Sequence, residues 1–401
     1  MMRSVTALLL VLAAGPGWAL QEKKSAELDP GLQAKVEDAI RRGVEYLKKA
    51  ESIVPWPEFG GNSDELILLT LVHAGVSSKD ATYQALLQRI LAVELKRTYN
   101  VALQAMVLEE IDRVRYQERI WQCAQFLVDN QCANGQWSYG EPTPAVQNMP
   151  TPSKPKEVAS TPVSGARDFS AADKKSKPKV VRFIPVQKTK GGPASGDNSN
   201  SQYAALGLRA CSESGIRIPK EYLAIARKWW IDSQHSGENK GKVASGPGGA
   251  EPRGWCYDVK DAHPTYGSMT AGAVASVAIY THLLDMDVKR DPAIASGLSW
   301  LTSHFTVTEN YGPPEHRPAG TAEFIYYYLY ALERAGILCG TETLGTHAWY
   351  PEGAKFLVEK QSADGQWEHG GDWNKPVWNT CFAILFLKRA TRPLVVSTDR
   401  R

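Results

Sequence analysis

The chain has 401 residues, of which 43% are apolar and 22% are charged, and its formal net charge is +3. This composition is that of a globular protein with room for one large core or two ordinary domains. The small net charge does not indicate nucleic acid or an anionic membrane as a partner. Twelve Trp and sixteen Tyr residues supply many large rings, which either fill a core or line a cavity.

Residues 1–20 predict a secretory signal peptide that is not part of the fold. A positively charged start at 1–3 precedes an apolar run at 5–14, a Gly-Pro break and a small-x-small cleavage pattern at 17–19. The run is too short to span a bilayer, and no later stretch reaches about 18 apolar residues. We therefore expect export to the periplasm or the extracellular space, with no transmembrane segment in the mature chain. A frayed N-terminal helix is the alternative interpretation.

From residue 32 onwards, amphipathic segments alternate with segments that are apolar nearly all round, which predicts helices in pairs. The pairs, in chain order, are 32–50 with 63–75, 80–97 with 98–112, 116–130 with 199–215, 219–234 with 268–284, 291–305 with 321–336, and 351–361 with 378–390. A helix that is apolar on every side should be buried on every side, so two concentric layers satisfy both patterns. We predict an all-α (α/α)6 toroid of about six hairpins, formed by 21–140 and 198–391, with an open solenoid as the structural alternative.

Residues 141–197 interrupt the third hairpin between its two helices. The segment is rich in Pro, Lys and Ser, and its ten Lys plus Arg against five Asp plus Glu give a net charge of +5. This composition predicts a disordered or loosely attached insertion, in which only 180–186 is apolar enough to dock on the body. Residues 392–401 are predicted to be a tail.

Two segments of the chain are near-duplicates. FLVDNQCANGQW at 126–137 and FLVEKQSADGQW at 356–367 are identical at eight of twelve positions. Both resemble the QW repeats of the squalene/terpenoid cyclase and protein prenyltransferase superfamily, and the resemblance extends over roughly 30–390 without the insertion. It implies a toroid in which Gln131 packs on Trp137 and Gln361 packs on Trp367, with each Gln capping an outer helix. The segment YYYLYALERAG at 326–336 resembles exported bacterial members of the superfamily with no clear assigned activity.

The catalytic signatures of that superfamily are missing from the chain. No Asp-Asp dipeptide occurs, which excludes the D-x-D-D acid of class II cyclases and a D-D-x-x-D magnesium site. The D-x-C zinc ligands of protein prenyltransferases and the G-C-G-E-Q thioester of complement-like toroids are absent as well. The resemblance therefore implies a fold and leaves the activity open, since function belongs to sites rather than to folds.

One candidate site lies at the start of the fifth inner helix. Glu323, Tyr326, Tyr327 and Tyr330 share one face of a helix. If that face points to the axis of the ring, a carboxyl group stands at the opening of a tyrosine-lined pocket. Such a wall suits a hydrophobic or isoprenoid ligand, and its rings can stabilise cationic centres. In the alternative interpretation, Glu323 only favours the helix N-terminus while the tyrosines pack in the core.

The loops before other inner helices supply further candidates. Asp372, followed by Trp373 and Trp378, is a second candidate general acid, and Asp64 occupies the corresponding place in the first hairpin. In a closed ring these loops converge at one end. An aromatic pocket there can raise a carboxyl pKa, which a general acid needs.

A weak metal-binding pattern occurs at residues 256–263. Cys256, Asp258, Asp261 and His263 have ligand types that suit zinc, although their spacing matches no established zinc pattern, and a polar loop at the cavity opening is the alternative. No cofactor other than this zinc is expected. The six Cys residues favour free, buried thiols over disulfides, because they are spread along the chain in helix-like segments.

Three functions remain open from the sequence. The protein binds or transforms a terpenoid-like hydrophobic molecule in the toroid centre, or it is a non-catalytic scaffold for a protein partner, or it is a carbohydrate-active α/α barrel. Abundant Trp residues and export fit the third function, whereas the QW segments argue against it. Whether the chain is an enzyme is not decided by the sequence.

Overall fold

The computed structural model describes residues 28–50, 63–143, 177–236, 249–259, 263–312, 324–368 and 375–394. The predicted signal peptide, most of the predicted insertion and four candidate residues, Asp261, Glu323, Asp372 and Trp373, lie outside these ranges. Within them, twelve α-helices account for nearly all regular structure. None of the described helices has the length and apolar character needed to span a bilayer.

Six helices form an outer layer: α1 (Pro30–Lys49), α3 (Ala81–Ala92), α5 (Gln117–Asp129), α7 (Lys220–Asp232), α9 (Pro292–Ser303) and α11 (Trp349–Lys360). The first of these shows why they lie outside. Helix α1 buries Val36, Ala39 and Leu47 on one face and carries its charges on the other. It begins at a proline, and the Asp29 carboxylate caps it by accepting the Leu32 N–H at 3.0 Å.

Six helices alternate with these in the chain and form an inner layer: α2 (Asp64–Ala74), α4 (Thr98–Asp112), α6 (Asn198–Glu213), α8 (Gly267–Leu283), α10 (Ile325–Cys339) and α12 (Pro376–Leu387). Helix α8 is the clearest case, because every residue except His282 is buried. Burial on all sides is what its uniformly apolar sequence requires.

The inner helices close into a ring. Helix α2 packs on α4, α4 on α6, α6 on α8, α8 on α10, α10 on α12, and α12 returns to α2. The outer helices pack against the inner ones, and α1 packs on both α12 and α2 across the junction between the first and last hairpins. The predicted all-α toroid is thus confirmed, and the open solenoid is excluded.

Both near-duplicate segments form tight turns after an outer helix. The Trp137 indole donates to the Leu127 carbonyl at 2.7 Å, and the Trp367 indole donates to the Leu357 carbonyl at 2.8 Å. The two near-duplicate segments therefore form the same hydrogen-bonded loop.

The glutamine of each segment reaches the next outer helix around the ring. Gln131 Nε2 donates to the Tyr222 carbonyl of α7, and Gln361 Nε2 donates to the Ala39 carbonyl of α1, each at 2.8 Å. Gly365 has a φ of +93°, and a side chain there would meet the Arg42 carbonyl of α1. The second segment therefore joins the last outer helix to the first and closes the outer layer.

Residues 177–197 differ from the predicted loose insertion. Strand β1 (Ile184–Pro185) pairs in parallel with β2 (Ile216–Arg217), and Lys177 forms ion pairs with Glu109 and Glu110 at the end of α4. For this part the prediction of a disordered or loosely attached segment was wrong, because backbone pairing and buried charges fix it to the body. The sequence predicts docking on the body only for the apolar stretch 180–186, which lies within this part.

The six cysteines are free, as the favoured interpretation of their spacing had it. Cys339 is partly exposed and the other five are buried. Burial raises the pKa of the Cys123 and Cys381 thiols to about 12, so both are uncharged core residues.

Candidate functional site

Three hydroxyl groups meet on the axis of the ring. Ser199 Oγ lies 2.9 Å from the Tyr327 hydroxyl, Tyr99 lies 3.3 Å from the same hydroxyl, and Ser199 and Tyr99 are also hydrogen-bonded to each other. These residues come from the first turns of α6, α10 and α4. The contact therefore places the N-terminal ends of these helices at one end of the toroid.

Two further rings belong to the same end. Tyr266 precedes α8, and its neighbours include Tyr327. The Trp378 indole, in the first turn of α12, donates to Ser63 Oγ just before α2 at 2.7 Å. We refer to this set as the amino-terminal mouth: Tyr99, Ser199, Tyr266, Tyr327 and Trp378.

The residues of the amino-terminal mouth are partly accessible in densely packed surroundings, and we refer to the surface that they line as the depression. All five of its residues keep part of their surface accessible to solvent. Burial nevertheless raises the pKa of Tyr99, Tyr266 and Tyr327 above the ordinary value of 10, because protein surrounds these rings on most sides.

Aromatic rings fill the axis below this depression. Tyr203 lies 4.4 Å from the Tyr99 ring and 6.1 Å from the Tyr327 ring, measured between centroids. Phe382 lies 5.5 Å from Tyr327 and 6.0 Å from Tyr330. These spacings are those of packed aromatic pairs, so the depression has a floor of rings.

A polar chain runs through this floor. Gln202 Nε2 donates to the Tyr327 hydroxyl at 2.7 Å, and Arg334 Nη2 donates to Gln202 Oε1 at 2.8 Å. The Arg334 guanidinium carbon stands 4.3 Å from the centre of the Tyr330 ring and 5.5 Å from that of Tyr203. The floor of the depression therefore contains a buried cation.

Two buried carboxyl groups lie near this end and bind protein groups. Asp197 caps α6 by accepting the Asn200 N–H at 2.7 Å and the Asn200 side chain at 2.8 Å. Glu65 accepts from Asn100 Nδ2 at 2.7 Å, and burial raises the pKa of Glu65 to about 7. Their hydrogen bonds anchor helix starts.

The opposite end of the ring is formed by charged groups. Lys177 Nζ contacts Glu109 and Glu110, Arg392 Nε donates to Glu110 Oε1 at 3.0 Å, and Arg209 Nε donates to Glu213 Oε1 at 2.7 Å. These residues, except Lys177, are among those that line a pocket of about 60 Å³: Glu109, Glu110, Arg209, Glu213 and Arg392. We refer to the charged set as the carboxy-terminal mouth: Glu109, Glu110, Lys177, Arg209, Glu213 and Arg392.

The predicted tyrosine face is divided in the structure. Tyr327 and Tyr330 turn to the axis, whereas the Tyr326 hydroxyl donates to the Glu368 carbonyl beside the second near-duplicate segment at 3.1 Å. Asp64 faces the outer layer and holds Arg89 of α3 through two contacts of 2.7 and 2.8 Å. Trp378 stands at the amino-terminal mouth, where the sequence places it.

The predicted metal ligands come together only in part. His263 Nε2 lies 3.7 Å from Asp258 Oδ2, and the Cys256 thiol lies 3.9 Å from Asp258 Oδ1. Over the described ranges, which omit Asp261, no group of three or more His, Cys, Asp or Glu side chains could hold a metal ion.

No sequence motif marks Tyr99, Ser199, Gln202 or Arg334 as site residues. Tyr99 and Ser199 each stand second in an inner helix, a position that could have been compared across the six hairpins. Arg334 had a clearer signal, because it is a charge inside an inner helix that is otherwise mostly apolar.

The fold thus defines a helical toroid with one aromatic and one charged mouth. No family model and no curated protein sequence matches the chain. Among solved structures, the chain is similar to a type II terpene cyclase from Scytonema, an Asp-to-Asn variant in complex with its substrate geranylgeranyl dihydroxybenzoate. The two share 11% sequence identity over 90% of this chain and 98% of the other, with a TM-score of 0.46.

Proposed function

We propose that the protein is exported and binds a terpenoid-like hydrophobic molecule in the depression at its amino-terminal mouth. The observation that carries the proposal is the set of accessible rings within the toroid, Tyr99, Tyr266, Tyr327 and Trp378. Concave sites with mostly apolar walls and a few convergent polar groups are where small molecules bind. Here the hydroxyl groups of Ser199 and the tyrosines supply the polar part.

The chemistry of the walls suits an unsaturated or branched hydrocarbon. Rings offer large, flat contact areas at a small cost in side-chain entropy, and their faces attract cationic centres. Glu323 and Asp372 remain the proposed general acids if the bound molecule is also transformed, because both precede inner helices that reach this mouth. Tyr327, Tyr330 and Trp378 are the proposed ligand-binding residues.

A second candidate function is a non-catalytic scaffold for a protein partner. The packing of Tyr203, Tyr330 and Phe382 favours it, because these rings fill the axis and limit the depth of the depression. The ion pairs that surround the small pocket at the other mouth favour it too.

The test is native mass spectrometry of the mature protein, purified from its exported location, followed by solvent extraction of any bound small molecule. We expect a co-purifying lipid, or uptake of a member of an isoprenoid panel that includes farnesol. Tyr327→Ala should abolish the binding. Tyr326→Ala is the matched control, since it removes the same ring from the neighbouring position, where the hydroxyl contacts Glu368.

The two functions give different results in this experiment. An empty protein that takes up no isoprenoid would reject the ligand proposal and favour the scaffold. Equal loss of binding in both variants would mean that the ring position does not matter, and would move the site away from the amino-terminal mouth.

A further inference from the structure

The apolar stretch of the predicted insertion turns only some of its side chains to the body. In the extended segment 180–186, Ile184 and Val186 pack against the core, whereas Val181 is 80% exposed and Phe183 is 52% exposed. Side chains alternate between the two sides of an extended chain, so docking of one side displays the other. The segment therefore presents two large apolar side chains to solvent.

The exposure of these side chains is fixed by the backbone of the segment. On one side, the Ile184 N–H donates to the Gly215 carbonyl next to β2 at 3.0 Å. On the other side, three side chains that stand one turn apart on α5 donate to carbonyls of the segment and of residue 187 at 2.7, 2.9 and 2.6 Å: Gln117, Trp121 and Gln125. Because the backbone is held from both sides, Val181 and Phe183 cannot turn inward without breaking these hydrogen bonds.

The turn between α4 and α5 adds to the same surface. Arg113 Nε donates to the Pro178 carbonyl at 2.8 Å, which holds the turn against the segment, and Asp112 accepts the N–H groups of Val114 and Arg115 at 3.1 and 2.9 Å. Val114 is 37% exposed. We refer to the surface that the turn and the segment form beside the carboxy-terminal mouth as the apolar–basic edge: Val114, Arg115, Lys179, Val181, Arg182, Phe183 and Arg217.

Positive charge outweighs negative charge on the apolar–basic edge, although the net charge of the whole chain is small. Within the described ranges, no acidic side chain forms an ion pair with Arg115, Lys179 or Arg217. Arg182 approaches Glu118 at 3.9 Å, but both side chains are exposed, and such pairs contribute little. An anionic partner therefore meets cations that the described part of the chain does not neutralise.

We propose that the apolar–basic edge docks the protein on the surface of an anionic phospholipid membrane, with Val181 and Phe183 in the interfacial layer and the cations against the lipid phosphates. Lipids adapt to the shape of protruding side chains, and each Lys or Arg near an anionic bilayer strengthens binding about fivefold. A protein partner needs a broad complementary surface instead, and the edge is a small cluster around one protruding segment.

The test is co-sedimentation of the full mature chain with vesicles of two compositions. One set contains phosphatidylcholine alone, and the other contains equal parts of phosphatidylcholine and phosphatidylglycerol. We expect a partition coefficient at least about tenfold larger for the anionic vesicles. It should fall as NaCl is raised from about 0.05 M to about 0.5 M, because salt screens the attraction between the cations and the lipid phosphates.

Two double variants separate the apolar from the basic contribution. Val181→Ser combined with Phe183→Ser should lower the partition coefficient for anionic vesicles about tenfold. Arg115→Gln combined with Lys179→Gln should lower it about twentyfold. The matched control is Met286→Ser, which removes a side chain that is 48% exposed in the turn after α8 and should leave the partition coefficient unchanged. All these positions are exposed, and circular dichroism checks that each variant folds.

Equal binding to the two vesicle compositions, or binding to neither, would overturn the inference. So would an equal loss in Met286→Ser, which would mean that the apolar–basic edge is not the docking surface. If the serine double variant binds like the wild type and polyglutamate displaces the protein from vesicles, the edge is an electrostatic site for an acidic macromolecule, and the membrane inference fails. Farnesol affinity, measured on the same variants, should not change, so this inference and the proposed function fail independently.

Discussion

The two ends of the inner ring are built from opposite chemistry. At the amino-terminal mouth, Tyr99, Tyr327 and Trp378 leave rings accessible in a depression. At the carboxy-terminal mouth, Lys177 and Arg392 form ion pairs with glutamates around a pocket of about 60 Å³. A pocket of that size has room for a few water molecules and is too small for a terpenoid.

The difference indicates that ion pairs hold one end together and that aromatic and hydroxyl contacts hold the other. The C-terminal ends of helices carry partial negative charge, and several inner helices end together here. The glutamates add to this charge, and Lys177 and Arg392 compensate it. Lys177 lies within the predicted insertion, and its ion pairs hold the described residues 177–197 against this mouth. Under the proposed function, the ligand enters at the aromatic end.

The largest expected effect is a loss of stability from a substitution at the carboxy-terminal mouth, without a loss of ligand binding. Lys177→Met removes an ammonium whose side chain is 8% exposed and leaves Glu109 buried without it. We expect the free energy of unfolding to fall by about 3 kcal/mol, because the buried Glu109 then keeps only the more distant Arg113, at 4.0 Å, as a cationic partner. Urea denaturation measures the loss, and farnesol affinity should be unchanged.

The control for this prediction is in the same segment. Lys179 is exposed two residues further on, so Lys179→Met should change stability by less than about 0.5 kcal/mol. A fall in farnesol affinity for Lys177→Met, but not for Lys179→Met, would contradict the separation of the two mouths.

A smaller effect is expected from a substitution at the amino-terminal mouth, which should alter both stability and ligand binding. Tyr327→Phe keeps the ring but removes the hydroxyl that bonds Gln202 and Ser199. We expect stability to fall by about 1–2 kcal/mol, because Gln202 and Ser199 lose a hydrogen-bond partner. Farnesol affinity should fall about threefold, because the ring of residue 327 is no longer held in place by these hydrogen bonds.

Tyr328→Phe is the matched control for that substitution. The Tyr328 hydroxyl donates to the Thr306 carbonyl at 3.1 Å, on the side away from the axis. Its removal should cost about 1 kcal/mol of stability and leave farnesol affinity unchanged. Equal effects of the two variants on affinity would show that the hydroxyl at the mouth has no special role.

The sequence predicts the ring well because two periodic signals agree. Helix α8 is apolar on all sides, α1 has a charged face, and the two QW segments repeat one loop in two places. Each signal is local, so a single chain suffices to recognise it. Ring closure depends on contacts between residues that are distant in sequence, such as Gln361 and Ala39. Such contacts are expected once six hairpins are recognised, because six hairpins can close a ring.

The site is harder to predict, because the apolar pattern does not fix how an inner helix is rotated about its own axis. A helix that is buried on every side gives no sequence sign of which face meets the axis. Tyr326 and Tyr327 are therefore equivalent in the sequence, although only Tyr327 of the two contacts Tyr99 and Ser199. The partner of Asp64, Arg89 on the neighbouring α3, could not be inferred either.

The smallest expected effect concerns the dependence of stability on pH. Burial raises the pKa of Glu65, behind the amino-terminal mouth, and of Glu333, near the other end, from 4.5 to about 7. Between these values the folded protein holds protons that the unfolded chain has lost. The contribution of these two groups to stability is therefore greatest below about pH 4.5 and is lost as the pH rises to about 7.

Glu65→Gln tests the share of this decline that comes from the amino-terminal end. The amide cannot ionise, so stability should fall less steeply between pH 5 and pH 6, by about 1 kcal/mol relative to the wild type. Glu333 titrates in the same direction and should leave a residual slope in this variant. Glu359→Gln, on the exposed face of α11, is the control and should keep the wild-type slope. Urea denaturation across the pH range measures how the free energy of unfolding changes with pH. If Glu65→Gln keeps the wild-type slope, Glu65 is already ionised in the folded protein, and Asn100 and its surroundings compensate the charge.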